Sequence, residues 1–476
     1  MLKGIIKKKR VEASDRRWQG DMTEGNPFSL MIRFALPLFI GNLFQLFYNL
    51  VDSIVVGNYV GKSALAAVGA CATPSYLFVS LSLGFATGLG ILVAQFYGAK
   101  DHRNVQAVIN NAMVILGTIA TALSLLGLVG SPALLRLLGT PEDIMADAVV
   151  YMRVTCLGVI ATAFYNGLSM ILRALGDSRT PLFFLIASSL LHIVLDLLFV
   201  IYFHMEVLGV ALSTVISQAI SAVALFMYVN RRNEYFCFSR STFRLDRQII
   251  IKSLRLGVPL ALQSSVVTIS VLVVQGYVNS FGDTVIAANT VTKRVDDFAM
   301  TFFNALGSAL SIFAGQNIGA GKIDRVKSAH WQMLFSAFAV CIVLIPVAFL
   351  FGGEITRLFV KEQDVIDIGG RALTFTAPCY LGLAITLITR AFLNGCGDTL
   401  FSLINAFTEI ACRVVYTLIL MSFPAVGCWG VWYTTGATWP VTALGKLLFG
   451  LGAGLFTCLI RYFGGKWKMK GVVKTA

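Results

Sequence analysis

The sequence predicts an all-α polytopic membrane protein: twelve transmembrane helices in two six-helix lobes related by a pseudo-twofold axis. Three observations predict it. Of 476 residues, 57% are hydrophobic and only 13% charged, with a mean hydropathy of +0.78, outside the range of ordinary soluble domains. Apolar runs long enough to cross roughly 30 Å of hydrocarbon follow one another along the chain. Finally, the chain repeats itself at a constant offset. Gln95-x-x-Gly98-Ala99 returns as Gln316-x-x-Gly319-Ala320, and Gly176-Asp177 as Gly397-Asp398, both 221 residues on (316 − 95 = 397 − 176 = 221). Ala66-Ala67, Asp143 and Gly209-Val210 recur at Ala287-Ala288, Asp364 and Gly430-Val431 in the same register.

The elements follow in order. Residues 1–30 form a basic N-terminal tail (Lys3, Lys7, Lys8, Lys9, Arg10, Arg16, Arg17), read as a disordered segment over 1–25, with an interfacial amphipathic helix as the alternative. No cleavable signal peptide is expected, because the first apolar run is too long for one. The first lobe, 31–229, holds spans at 31–55, 64–96, 106–130, 145–172, 181–203 and 207–229. A polar, basic linker, 230–252, leads to the second lobe, 253–460, with spans at 253–280, 285–317, 328–352, 366–394, 400–422 and 429–460; the tail is 461–476. Six spans per repeat is an even number, so both repeats enter the membrane in the same sense and the axis lies along the membrane normal.

The formal charge of +14 would suggest nucleic acid in a soluble protein, but its placement follows the positive-inside rule. Cations fill the tails, the linker and the loops after the second, fourth and eighth spans (Lys100, Arg103, Arg179, Lys322, Arg325, Lys327). Both termini are therefore expected in the cytoplasm, in a cytoplasmic cell membrane, with no nucleic-acid partner. The nine cysteines are scattered without metal spacing and read as free core thiols. No phosphate-binding or catalytic signature occurs, so neither an enzyme nor ATP hydrolysis is expected. The paired Gln-x-x-Gly-Ala elements read as helix ends and contacts between lobes.

Charge inside a bilayer costs about 2.5–3.5 kcal/mol per residue on insertion scales, so each intramembrane polar group needs a reason. Asn42, Gln45, Asn49 and Asp52 in the first span fall on one helical face. The fifth span carries His192 and Asp196 one turn apart, and the sixth Thr214 and Gln218. Asp52 and Asp196 are the candidates for an ion-coupling site, because desolvation favours a neutral carboxyl and makes protonation a useful event. For His192, Thr214 and Gln218 the alternative is interhelical hydrogen bonding that fixes the packing. In the second lobe, Asp297, Thr301, Asn304 and Ser308 share a face, and Glu409 and Arg413 stand four apart in the order that suits a self-neutralising, structural ion pair. Arg413 occupies the register position of His192, and Thr417 that of Asp196. Gln45, Asn49, Gln218, Asp297, Asn304 and Glu409 are the candidates to line a central cavity.

Gln45-Leu-Phe-Tyr-Asn-Leu-Val-Asp52, with Gly57 and Gly61 following, resembles the first-helix signature of multidrug and toxic compound extrusion (MATE) transporters. The match is best to the bacterial branch related to DNA-damage-inducible proteins. Ala66-Ala67-Val68-Gly69, Tyr151-x-Arg153, Arg173-Ala-Leu-Gly176-Asp177 and Gly315-Gln316-Asn317-x-Gly319-Ala320 are similar to further family elements, over about 30–460. The resemblance implies a monomeric secondary antiporter exporting amphipathic, cationic drugs by alternating access. It places coupling carboxylates at Asp52 and Asp196 and the family's threonine at Thr214. His192 stands where the family has asparagine. The family's acids in the seventh and tenth helices have no counterpart, which favours protons over sodium, with Asp52 and Asp196 the place for sodium if it binds. No other cofactor is expected. The alternatives are a lipid-linked oligosaccharide flippase of the same twofold plan, which would need a cationic cavity, and the major facilitator architecture, whose charged loop between the second and third helices is not matched by 98–103.

Overall fold

Apolar backbone in hydrocarbon must satisfy its own hydrogen bonds, which leaves helix as the solution for long apolar runs. The computed structural model describes residues 20–236, 245–423, 426–444, 461–465 and 467, and among them there is no strand. The first lobe comprises α1 (Pro27–Val55, continued by a π-helical turn at Val56–Val60), α2 (Lys62–Gly98), α3 (His102–Leu137), α4 (Glu142–Ala174), α5 (Arg179–Asp196, continued by a π-helical turn at Leu197–Tyr202) and α6 (Glu206–Arg232). The second comprises α7 (Arg247–Asn279), α8 (Asp283–Gly319), α9 (Ile323–Arg357), α10 (Gln363–Gly395, with a 3₁₀ turn at Ala377–Cys379), α11 (Thr399–Met421) and α12 (Gly430–Leu444). Eleven described helices are long and apolar enough to cross a bilayer. The rest of the twelfth expected span, 445–460, lies outside the described residues. Helices α2 and α8 overrun the expected spans by two residues at each end and α3 and α9 by four to seven; at α3 the extension is capped by Asp101, which accepts from Asn104 N at 3.1 Å.

The repeat is visible as geometry. Gly176 and Gly397, equivalent in the 221-residue register, take φ of 89° and 87° at the turns into α5 and α11, a left-handed conformation that glycine adopts without cost. Contacts between lobes are reciprocal in the same register. Gln95 donates through Nε2 to Gly395 O at 3.3 Å, and Gln316 through Nε2 to Ala174 O at 2.8 Å; 95 pairs with 316, and 174 with 395. A Cβ on Gly98 would strike the backbone carbonyl of Gln316, and one on Gly319 that of Gln95. Self-complementary contact of this kind is what a twofold axis produces, and here both partners lie on one chain.

These close approaches share one end of the bundle, where the loops after α2, α4 and α8 gather their cations. Toward the middle of α2, ten and fourteen residues before Gly98, the helix also meets α7, with Gly88 against Gly257 and Gly84 against Ala261. Toward the opposite end Tyr76 on α2 is 55% exposed. The basic end is sealed further by the segment that precedes α1. Met22 and Thr23 are buried, Met22 N donates to Gln316 Oε1 at 2.8 Å, and Asn317 Nδ2 donates to Met22 O at 3.1 Å. Lys322 Nζ reaches Thr23 O at 2.9 Å, and Arg325 reaches Gly25 O at 2.9 Å and Met22 O at 3.3 Å. Residues 20–25 are thus a strap bound to the second lobe, not the disordered tail expected; residues 1–19 lie outside the described residues. The strap's backbone groups find partners on α8 and α9, which apolar periodicity cannot foretell. The linker is likewise shorter than expected at the α7 side, since Asp246 caps α7 by accepting from Gln248 N at 2.8 Å. Among the described cysteines all seven are free thiols, six of them buried.

Candidate functional site

Polar side chains in the first lobe converge where α1, α5 and α6 meet. His192 and Asp196, one helical turn apart on α5, are 2% and 1% exposed, and His192 Nδ1 stands 3.0 Å from Asp196 Oδ2. On the other side of the ring, Nε2 lies 2.9 Å from the Thr214 hydroxyl of α6 and 3.3 Å from the Tyr48 hydroxyl of α1. Tyr48 and the imidazole also pack edge to face at 4.7 Å. Ser213 donates to Asp196 Oδ1. Asp52, half-buried one turn beyond Tyr48, brings a carboxylate oxygen into the same place, and one oxygen each of Asp52 and Asp196 with one nitrogen of His192 fall within 4.8 Å of one another. Asp52 Oδ1 is buried and without a hydrogen-bond partner.

Two carboxylates this close repel one another strongly where the dielectric is low. A single positive charge between them relieves that repulsion, and an orphaned carboxylate oxygen is an acceptor waiting for it. The donor set is two carboxylate oxygens and an imidazole nitrogen. It suits a proton, which any of the three groups can accept, better than a hard cation that prefers oxygen alone.

Two π-helical turns border the site. Val56–Val60 begins four residues after Asp52, and Leu197–Tyr202 begins directly after Asp196, whereas the equivalent α7 and α11 run as α-helix to Asn279 and Met421. Single π turns within helices recur at functional sites. The two turns pack on each other with Val55, Val56, Val200 and Val207 in one apolar cluster.

The other sequence candidates fall as follows. Gln45 is exposed on α1; the side chain of Asn49 lies outside those described. Gln218, one turn beyond Thr214 on α6, is half-buried, and its Oε1 has no partner. Asp297 and Asn304 are both exposed on α8, and Asp297 lies within electrostatic reach of Tyr76 on α2. Phe39 of α1 stacks on Phe302 of α8 at 4.2 Å.

Sequence reasoning missed three groups. Tyr48 has no spacing signal that separates it from a core aromatic. Asp296, the neighbour of Asp297, is the buried one of the pair at 8% exposure and accepts from the Tyr380 hydroxyl at 2.7 Å. Adjacent helical residues point about 100° apart, so only packing decides which acid faces inward. The third is Arg390 of α10. Glu409 does pair with Arg413 at 3.2 Å, as its spacing suggests, but Arg390 approaches its other oxygen at 3.5 Å. The expected self-neutralising pair is therefore corrected to two cations and one anion.

Known proteins bear on the whole arrangement. A family model described as MatE matches residues 37–198 and 259–419, one block in each lobe. The chain is 29% identical over 452 residues to "Probable multidrug resistance protein YoeA" of Bacillus subtilis, covering 93% of this chain and 95% of that one. It is 23% identical over 384 residues to "Multidrug export protein MepA" of Staphylococcus aureus, covering 79% and 84%. Among solved structures, one described as the outward-facing conformation of a multidrug resistance MATE family transporter superposes with a TM-score of 0.86 at 22% identity, over 94% of this chain and 98% of that one.

Proposed function

The chain belongs to the MatE family of multi-pass membrane transporters, and from that premise we propose that it is a secondary active efflux antiporter. In this reading it exports amphipathic, cationic small molecules from a bacterial cytoplasm in exchange for inward-moving protons. The observation that carries it is the Asp52–His192–Asp196 cluster within 4.8 Å, with His192 and Asp196 buried and Asp52 half-buried, toward the end of the bundle away from the basic loops. The positive-inside rule makes those loops cytoplasmic. The sealed end then faces the cytoplasm and the opposite end faces outside, with both termini inside.

Proton entry from outside would neutralise a carboxyl of the cluster and weaken its hold on a bound cation. Release of the drug outward and reclosure of the lobes follow, with the reciprocal glycine contacts at the basic end breaking as the two bundles rock. Exchange of one proton for one monovalent cationic drug moves no net charge and draws on the pH gradient alone. If one extra charge moves inward, a membrane potential of 100 mV adds about 2.3 kcal/mol, roughly fifty-fold in drug gradient. The flippase alternative is not favoured, since the matched relatives are named for multidrug export.

The test is cationic dye transport in vesicles holding the purified protein, with proton and sodium gradients imposed separately. Transport against the dye gradient with protons alone supports the reading. Transport only with sodium would replace the coupling ion, and none under either would refute antiport.

A further inference from the structure

The place in the second lobe that corresponds to the acid site carries the opposite charge. In the 221-residue register Arg413 of α11 stands for His192 of α5, Thr417 for Asp196, and Ser270 of α7 for Asn49 of α1. Arg413 donates through Nη1 to Ser270 Oγ at 2.5 Å and through Nη2 to Glu409 Oε1 at 3.2 Å. Arg390 approaches Glu409 Oε2 at 3.5 Å. The three ionic side chains are 10–14% exposed, within the span of the bilayer. Two guanidiniums against one carboxylate leave a net charge of +1. Lys293 of α8 adds a further cation within electrostatic reach of Arg413, with Asp296 and Asp297 also within reach of that lysine; within the trio itself the second arginine exceeds what a simple ion pair needs.

A second observation points the same way. Arg413 is 8% exposed, yet its Nε–H is buried with no acceptor. Arginine cannot shed its charge, and its planar fork is built to hold the two oxygens of an oxyanion. Ser270 is nine residues along α7 from Ala261, where α7 touches the first lobe at Gly84, which puts it about 14 Å along the helix from that contact at 1.5 Å per residue.

We propose that Arg390 and Arg413, with Glu409 between them, form a seat for a carboxylate on the transported molecule. The inference rests on the exporter reading and narrows its substrate class to zwitterionic amphiphiles. Their amine faces the acid cluster of the first lobe and their carboxylate displaces Glu409 from Arg413. The two lobes then grip opposite ends of one molecule.

Two dyes of one scaffold test this. Rhodamine 110 carries a free carboxylate, and rhodamine 123 is its methyl ester. Binding to the full chain in lipid nanodiscs, read by fluorescence polarisation, should favour rhodamine 110 by about tenfold, the scale of a charge-assisted hydrogen bond. Arg390→Gln and Arg413→Gln should abolish the preference while leaving rhodamine 123 binding within about twofold. Glu409→Gln, which removes the resident competitor, should widen the preference; a merely structural Glu409 would not do so. If Arg413→Gln does not fold, the charge-balanced double variant Glu409→Gln with Arg413→Gln and the single Arg390→Gln carry the test. Equal binding of the two dyes by the unaltered protein, or a preference that survives loss of either arginine, would overturn the seat alone. Failure to bind either dye would overturn the exporter reading and the seat with it.

Discussion

His192 and Asp196, a single helical turn apart on α5, meet at 3.0 Å between Nδ1 and Oδ2 while the far side of the imidazole rests on Thr214. The ring is therefore a bridge between the buried acid and α6. Its replacement separates two roles. His192→Asn retains a polar group toward Thr214 and should keep efflux, because Asp52 and Asp196 are intact. His192→Ala leaves Asp196 and Thr214 facing a gap and should destabilise the protein by about 1–3 kcal/mol. Efflux and thermal unfolding of both variants check this; loss of efflux in a stably folded His192→Asn would show that the imidazole itself is required.

Gly98 and Gly319 should respond alike, because each lies on the other lobe's glutamine carbonyl. Even alanine at either position requires the lobes to separate at the basic end. We expect Gly98→Ala and Gly319→Ala each to lower the population of the form closed at the basic end and to slow efflux at least tenfold. Distances between spin labels on the two lobes, at exposed positions near the basic loops, should lengthen by the same amount in both. Lengthening in only one would argue against the twofold equivalence.

The strap gives a third expectation. Arg325 holds both Met22 O and Gly25 O, so Arg325→Ala should release residues 20–25 from α9. Hydrogen exchange at Met22 and Thr23 should rise by about tenfold or more, matching the loss of one to two charge-assisted hydrogen bonds. Unchanged protection would show that the contacts with Gln316 and Asn317 suffice.

Asp296 and Asp297 should behave as opposites. Asp296→Ala strands the Tyr380 hydroxyl in a buried place and should cost about 1–3 kcal/mol in stability, with a smaller effect on drug affinity. Asp297→Ala, at an exposed position, should leave thermal unfolding close to that of the unaltered protein and weaken cationic dye binding. Reversed outcomes would exchange the roles assigned to the two acids.

Much of this architecture is legible before any coordinates. A 221-residue register and apolar runs bounded by cations dictate two parallel six-helix lobes, because lipid permits few alternatives to helix. Asp52, His192, Asp196 and Thr214 stand out because carboxylates, an imidazole and a hydroxyl in apolar runs have to be explained. What escaped depends on tertiary distance. Arg390 sits near the end of α10, nineteen residues from Glu409, and nothing in either helix's own pattern announces the contact. The burial of Asp296 and not Asp297, and the capture of Met22 by Gln316, are likewise decided by neighbours on other helices. The π turns after Asp52 and Asp196 have no sequence signal that apolar periodicity can register.

The claim that the first-lobe acids couple ion entry to drug export is tested most directly with Asp196→Asn, which keeps the shape of the side chain and removes its charge. The variant, in vesicles, should exchange labelled drug for unlabelled drug across the membrane at equilibrium. It should fail to concentrate drug when a proton gradient is imposed, and Asp52→Asn should do the same. Proton-driven accumulation at the unaltered rate in both variants would contradict the account.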